Sequence, residues 1–252
     1  MRTLNLILLS LLFVPAVFAV EVKVGAYNFP PYVTDQGGVT QELVNLLNSS
    51  QSDFVFTLVA TTSQDRYADL RSGKYDIILF EDPAWGWADT PAIPTAPFHA
   101  DAAVYVALVK GNRRDDFFAD LGTKTLLIRR GYHYGFAQFN SDEAFLIRNF
   151  RVKRYDTPQQ ILDGLLAEEG DIAVITQSFL GGYLATHPEQ QSKLLIANRI
   201  DQAYHLGALL RPDAPLSRAK LESLVKILQQ SGQFDAMRLE HLPLPDRPLG
   251  KR

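Results

Sequence analysis

The sequence predicts an α/β protein made of two similar units, and three observations lead to that prediction. Short apolar runs with the length of strands alternate with amphipathic helical segments along the 252-residue chain. One β-α-β-α-β order occurs before residue 100, and a second β-α-β set follows it. The hydrophobic fraction of 46% and the charged fraction of 21% are typical of a soluble globular protein.

Residues 1–19 indicate export. Arg2 precedes an apolar run at 6–14, and Val17-Phe18-Ala19 fits a signal-peptidase site. The apolar run is too short to span a bilayer comfortably. We therefore expect a cleaved signal peptide and a mature chain that begins at Val20 in the periplasm. The alternative is an uncleaved membrane anchor.

The first unit is predicted to follow the signal peptide with three strands and two helices. Strands are expected at 21–26, 54–59 and 75–80, and helices at 40–47 and 62–71. Leu43, Val44 and Leu47 share one face of the first helix, and Gly73 ends the second. The prolines of Asn28–Tyr32 require an extended or turned segment between the first strand and that first helix. This order is typical of a parallel sheet.

The second unit repeats the pattern. Strands are expected at 102–109, 125–129, 152–155 and 171–175, and helices at 115–121, 143–150 and from 158 onward. Thr157 and Gln160 have the spacing of a capping box, with Pro158 at the first helical position. The chain then continues with strands at 194–197 and 204–210 and helices at 217–230 and 233–239.

A binding cleft is expected where the strand at 75–80 ends. Glu81 and Asp82 follow that strand directly, and Trp85 and Trp87 lie in the loop after Pro83. Ligands of open α/β sheets bind beyond the carboxyl ends of strands. Carboxylates beside indole rings suit a small polar or cationic solute. The alternative is that the carboxylates only brace the loop and the tryptophans pack on the domain.

Composition and motif spacing exclude several other functions. The net charge is −3 with no basic block, so nucleic acid is not an expected partner. The chain has no cysteine, which excludes thiolate catalysis and cysteine–zinc sites. Its five histidines lack metal-ligand spacing, and we expect neither a metal nor a cofactor. Ser217-x-x-Lys220 matches a nucleophile motif of penicillin-binding enzymes, but Ser217 is expected to cap a helix instead.

Several short stretches occur in a recognisable order. They are VKVGAYNFPPY at 22–32, QDRYADLRSGKYDII at 64–78, APF at 96–98, residues 121–131, GDIAV at 170–174 and the segment 204–239. Their order and spacing resemble those of the family 3 periplasmic solute-binding proteins, the polar-amino-acid type of ABC-transporter binding protein. The resemblance implies the periplasmic binding protein-like II fold, in which two lobes are each a mixed, mostly parallel sheet flanked by helices. Two hinge strands, at 102–110 and 196–206, would join residues 20–106 plus 200–252 as lobe 1 to residues 107–199 as lobe 2.

The chain departs from this family at the positions that hold an amino acid. Ala88 aligns with the arginine that grips the ligand carboxylate. Thr176 aligns with the aspartate that takes the ligand ammonium, and Gly131-Tyr132 replaces a glycine-threonine pair. A charge-assisted hydrogen bond contributes about 1.5–3 kcal/mol, so the loss of both charged anchors disfavours ordinary α-amino acids.

The predicted cleft is instead aromatic, acidic on the lobe 1 wall and basic on the lobe 2 wall. Its expected ligand-binding residues are Tyr27, Phe29, Tyr32, Phe80, Glu81, Asp82, Trp85, Trp87, Arg130, Tyr132, His133 and Thr176. Strand alternation sends either Arg129 or Arg130 to solvent. Arg130 is favoured for the cleft because it is next to Gly131.

The sequence therefore predicts a monomeric binding protein rather than an enzyme. It would close on a small polar solute, of cationic or aromatic character, and serve an ABC permease or a membrane sensor. The alternative is a periplasmic enzyme of the same fold, resembling a dehydratase. Glu81 or Asp82, near His133, would then perform acid–base chemistry.

Overall fold

The computed structural model describes residues 19–237. The strands are β1 Val20–Ala26, β2 Phe54–Ala60, β3 Ile77–Glu81, β4 Ile93–Pro94, β5 His99–Leu108, β6 Thr125–Arg129, β7 Arg151–Tyr155, β8 Ile172–Thr176 and β9 Leu194–Leu210. The α-helices are α1 Val39–Ser50, α2 Arg66–Arg71, α3 Glu143–Asn149, α4 Pro158–Leu166, α5 Gln177–Thr186 and α6 Arg218–Gln230. Within this range every helix is too short or too polar to traverse a bilayer. The predicted signal peptide, apart from Ala19, lies outside the described residues.

The strands form two sheet halves that share β9. In the first half β1 is parallel to β2 and β3, and β3 pairs antiparallel with the end of β9. In the second half β6 is parallel to β7 and β8, and β8 pairs antiparallel with β5. The two strands β5 and β9 pair with each other and run between the halves. The predicted fold class, two mixed and mostly parallel sheets joined by two strands, is confirmed.

Helices cover both halves with apolar faces. In α6 the buried residues Leu221, Leu224, Val225 and Leu228 follow the helical period, and the helix packs against α1 of the first half. Helix α4 packs against β6 and β8 of the second half. Burial of each such leucine stabilises the fold by about 1.5–3 kcal/mol. The lobe limits given above remain a prediction.

Several sequence-based assignments need correction. The strands expected at 194–197 and 204–210 are one 17-residue strand, because the polar segment between them also pairs with β5. Helix α2 begins at Arg66 rather than residue 62, since Thr62 and Asp65 exchange hydrogen bonds in a turn. Helix α5 was not predicted, and its central Gly181-Gly182 explains the weak signal. Residues 231–237 form turns rather than the start of the helix expected at 233–239, and residues 238–239 lie outside the described range.

Candidate functional site

The site lies where the carboxyl ends of strands from the two sheet halves meet. Strands β1 and β3 are neighbours, with Val24 opposite Ile77, so the segments that follow them lie side by side. In the second half, β6 leads into the segment from Arg130 to His133. Phe29 and Tyr132, one from each half, meet edge to face with ring centroids 5.9 Å apart. The structure thus brings the segments after β1, β3 and β6 together.

Glu81 forms a buried ion pair with Arg66 on the first-half wall. Arg66 Nε lies 3.3 Å from Glu81 Oε2, and the two side chains are 2% and 0% exposed. Tyr27 donates from its hydroxyl to Glu81 Oε1 at 2.6 Å, and Trp87 Nε1 donates to Oε2 at 2.7 Å. Burial raises the pKa of the Glu81 carboxyl, while Arg66 and the two donors act in the opposite direction.

The expected acidic wall is therefore corrected. Glu81 is engaged by three protein donors, and it is not free to pair with a cationic solute. Asp82 accepts the backbone N–H of Ala84 at 2.9 Å and that of His205 at 2.8 Å. This is the loop-bracing role that the sequence left open for these carboxylates.

Arg66 is the residue of this wall that the sequence analysis missed. Its guanidinium lies 4.4 Å from the centroid of the Tyr67 ring and 5.2 Å from that of Tyr27. The family comparison assigned the arginine position to Ala88, which is exposed. A signal was present in α2, because Arg66 lies four residues before the buried Leu70 and so shares its inward face.

The orientation expected for Arg129 and Arg130 is reversed. Arg129 is only 7% exposed, and its Nη2 donates to Asn28 Oδ1 of the first half at 3.0 Å. Arg130 points outward, with its side chain 44% exposed and its Nε 2.9 Å from Asp156 Oδ1. The alternation of β6 places Arg129 inward, and Gly131, with φ of 70°, turns the chain after Arg130.

His133 forms a further contact between the halves. Its Nε2 lies 2.9 Å from the Tyr67 hydroxyl, and its Nδ1 lies 2.6 Å from the carbonyl oxygen of Phe139. Gly86 reaches this ring with φ of 75°, and a Cβ there would lie 2.7 Å from His133 Cε1. Burial lowers the pKa of His133, an effect that the nearby Arg66 increases. The His133 imidazole therefore bridges the two halves.

Residues from both halves line a central cavity and a cleft-mouth cavity. The central cavity is small. The volume open to the centre of a water molecule is about 10 Å³, so the cavity holds about one water. Its lining residues are Tyr27, Phe29, Arg66, Trp85, Tyr132, His133 and Tyr204. In the cleft-mouth cavity beside it, the volume open to the centre of a water molecule is about 250 Å³. Its lining includes Ser63, Gln64, Tyr67, Arg129, Arg130 and His133.

The remaining predicted site residues have mixed positions. Trp85 lines the central cavity, and its Nε1 donates to Gln202 Oε1 at 3.3 Å. Thr176 lines a third, small cavity that it shares with Arg129. Tyr32 and Phe80 are fully buried, with ring centroids 4.9 Å apart, and both belong to the hydrophobic core.

Solved structures share this architecture. Tv2483 bound to L-arginine matches with a TM-score of 0.70 and 15% identity, over 86% of this chain and 88% of that one. A histidine kinase sensor domain with similarity to periplasmic binding proteins matches with a TM-score of 0.67 and 17% identity, over 89% of this chain and 96% of that one. The chain has the periplasmic-binding-protein fold. The ancestral amino acid-binding protein AncCDT-1, a precursor of cyclohexadienyl dehydratase, matches with a TM-score of 0.66 and 14% identity. The match covers 88% of this chain and 95% of that one.

These neighbours show the fold of the chain. No protein-family model and no curated protein matches the sequence. Because one fold supports binding, sensing and enzymatic roles, the function has to be argued from the side chains of the site.

Proposed function

We propose that this chain is a periplasmic solute-binding protein whose two halves close on one small solute. The observation that carries the proposal is the convergence of side chains from both halves on the same two cavities. Tyr27, Phe29 and Arg66 come from the first half, and Tyr132 and His133 from the second. As a monomer, the protein would deliver its solute to a membrane transporter or present it to a membrane sensor.

Closure follows from contacts that exist only when the halves meet. The Tyr67–His133 and Asn28–Arg129 hydrogen bonds and the Phe29–Tyr132 ring contact all cross the junction. A solute that touches both walls binds the closed arrangement more tightly than an open one, and so it shifts the population toward closure. The central cavity holds about one water, so a larger solute enters only after the halves separate.

The site favours a polar solute with a flat or apolar part over an ordinary α-amino acid. Aromatic rings line most of the central cavity, whereas Glu81 is occupied by its own ion pair. Ala88 is exposed and Thr176 is uncharged, so neither supplies a charged anchor for an amino acid. Acid–base catalysis by Glu81 or Asp82 is not favoured, because both carboxylates already accept protein hydrogen bonds.

The test is to identify what the protein carries. Protein released from the periplasm by osmotic shock would be purified without denaturation and weighed by native mass spectrometry. We expect a mature chain that begins at Val20 and retains one small molecule, which denaturation releases unchanged. The proposal would be contradicted by a spectrum that shows the bare chain alone, or by release of a molecule that the protein has chemically converted.

A further inference from the structure

Arg129 is a buried arginine without a carboxylate partner among residues 19–237. Its Nη1 donates to the Tyr132 hydroxyl at 2.7 Å, and its Nη2 donates to Asn28 Oδ1 at 3.0 Å. The guanidinium carbon lies 4.7 Å from the centroid of the Tyr132 ring. These partners are neutral. No carboxylate oxygen of the described residues lies within 4.0 Å of an Arg129 side-chain nitrogen.

The other cationic groups of the site have their charges balanced. Arg66, equally buried, is paired with Glu81. At the cleft mouth, Arg130 is paired with Asp156, and Arg154 with Glu143. A buried charge that lacks a counter-charge is strongly unfavourable, and proteins normally pair it. Among the arginines of residues 19–237 that line these cavities, Arg129 is the one that has no paired carboxylate.

Space for a missing partner is adjacent to Arg129. The side chain lines both the 250 Å³ cleft-mouth cavity and the small cavity that reaches Thr176. Ser63, Gln64 and Ser141 supply neutral polar groups around the larger cavity. The two hydrogen bonds of the Arg129 side chain use one N–H from each terminal nitrogen, and a guanidinium has five N–H groups. The remaining N–H groups can bind an anion.

We propose that Arg129 anchors the carboxylate of a small organic acid whose body occupies the cleft-mouth cavity. This inference rests on the proposed solute-binding function and names the chemical class of the solute. The planar guanidinium matches a carboxylate with two parallel hydrogen bonds. The Tyr132 ring already holds the guanidinium in place from one side. The acid supplies the counter-charge that the described chain lacks.

The experiment compares acids with their neutral amides on the mature protein. Thermal unfolding and calorimetry would be run with benzoate, phenylacetate, indole-3-acetate and succinate, and with the corresponding amides, at matched ionic strength. We expect at least one acid to bind and to raise the unfolding temperature, and its amide to bind much more weakly. Binding of amide and acid with equal affinity would overturn the inference, as would a failure of all four acids to bind.

Three variants assign the effect to Arg129. Arg129→Gln should weaken the binding of that acid by about 10- to 100-fold, since a charge-assisted hydrogen bond is lost. Arg129→Lys keeps the charge without the planar fork and should recover part of the affinity. Arg148→Gln, on the exposed face of α3, removes the same charge elsewhere and should bind as wild type does. Circular dichroism would establish that each variant is folded.

The outcomes separate this inference from the proposed function. If Arg129→Gln is folded and binds the acid within about threefold of wild type, the anchor is wrong. If native mass spectrometry finds a carried solute that is neutral or cationic, the inference fails but the solute-binding function stands. If wild type carries no molecule and binds no acid or amide, both fail.

Discussion

Replacing Glu81 by glutamine should destabilise the protein strongly. Glu81→Gln keeps the side-chain size, and its amide oxygen can accept the Trp87 hydrogen bond while its NH₂ group donates to the Tyr27 hydroxyl. It removes the one carboxylate among residues 19–237 that pairs with Arg66, whose side chain is 2% exposed. Removing one partner of a buried ion pair costs about 3–5 kcal/mol of unfolding free energy. An exposed pair such as Arg130–Asp156 contributes only about 0–1 kcal/mol, so Asp156→Asn is the matched control.

The assay is urea unfolding of wild type, both single variants and the double variant Glu81→Gln/Arg66→Met. The double variant buries no unbalanced charge, and it should be more stable than Glu81→Gln despite carrying one more substitution. Urea midpoints would be compared between proteins whose unfolding free energy depends on urea concentration with the same slope. A change in the compactness of the unfolded chain is then not taken for a change in stability. If Glu81→Gln lies within about 1 kcal/mol of wild type, the buried pair does not have the energetic role assigned to it.

Three further predictions concern the loop, the junction and pH. Asp82→Asn should cost about 1 kcal/mol of unfolding free energy, since the single amide oxygen can keep only one of the bonds from the Ala84 and His205 N–H groups, and should leave solute affinity unchanged in calorimetry. Gly86→Ala should weaken solute binding at least about tenfold, because its Cβ would meet the His133 ring and keep the halves apart; equal affinity would show that the halves do not need this approach. His99, whose pKa burial lowers to about 4, should make stability fall as pH drops from about 6.5 toward 4, because the unfolded chain then binds the proton more readily. Urea unfolding at about pH 6.5 and about pH 4 measures this decrease in unfolding free energy, and His99→Gln should make it smaller by about 1–2 kcal/mol. The same decrease in the variant and in wild type would contradict the role given to His99.

Local sequence signals predicted local structure well. The capping box at Thr157 and Gln160 has both of its hydrogen bonds, and Ser217 caps α6 by accepting the N–H of Lys220. Strand β6 has the bounds expected from its apolar run. These features depend on residues a few positions apart, so a pattern in the chain contains the information that determines them.

The site depended on partners far apart in the chain. Tyr27, Arg66 and Glu81 meet only through the packing of β1, α2 and β3, so the sequence alone left Glu81 available to a ligand. The choice between Arg129 and Arg130 depended on which face of β6 meets the first half. Strand alternation turns one of these two arginines inward, and proximity to Gly131 did not indicate which one.

Closure on a solute is the central claim, and the absence of cysteine makes it directly measurable. Val55→Cys and Ile147→Cys, at positions 45% and 55% exposed on the two halves, would hold a donor and an acceptor dye. Energy transfer would be compared in protein as purified, in protein stripped by unfolding, dialysis and refolding, and in stripped protein returned to the small-molecule filtrate. The account predicts that stripping changes the transfer efficiency and that the filtrate restores it. Identical efficiency in all three samples would contradict it.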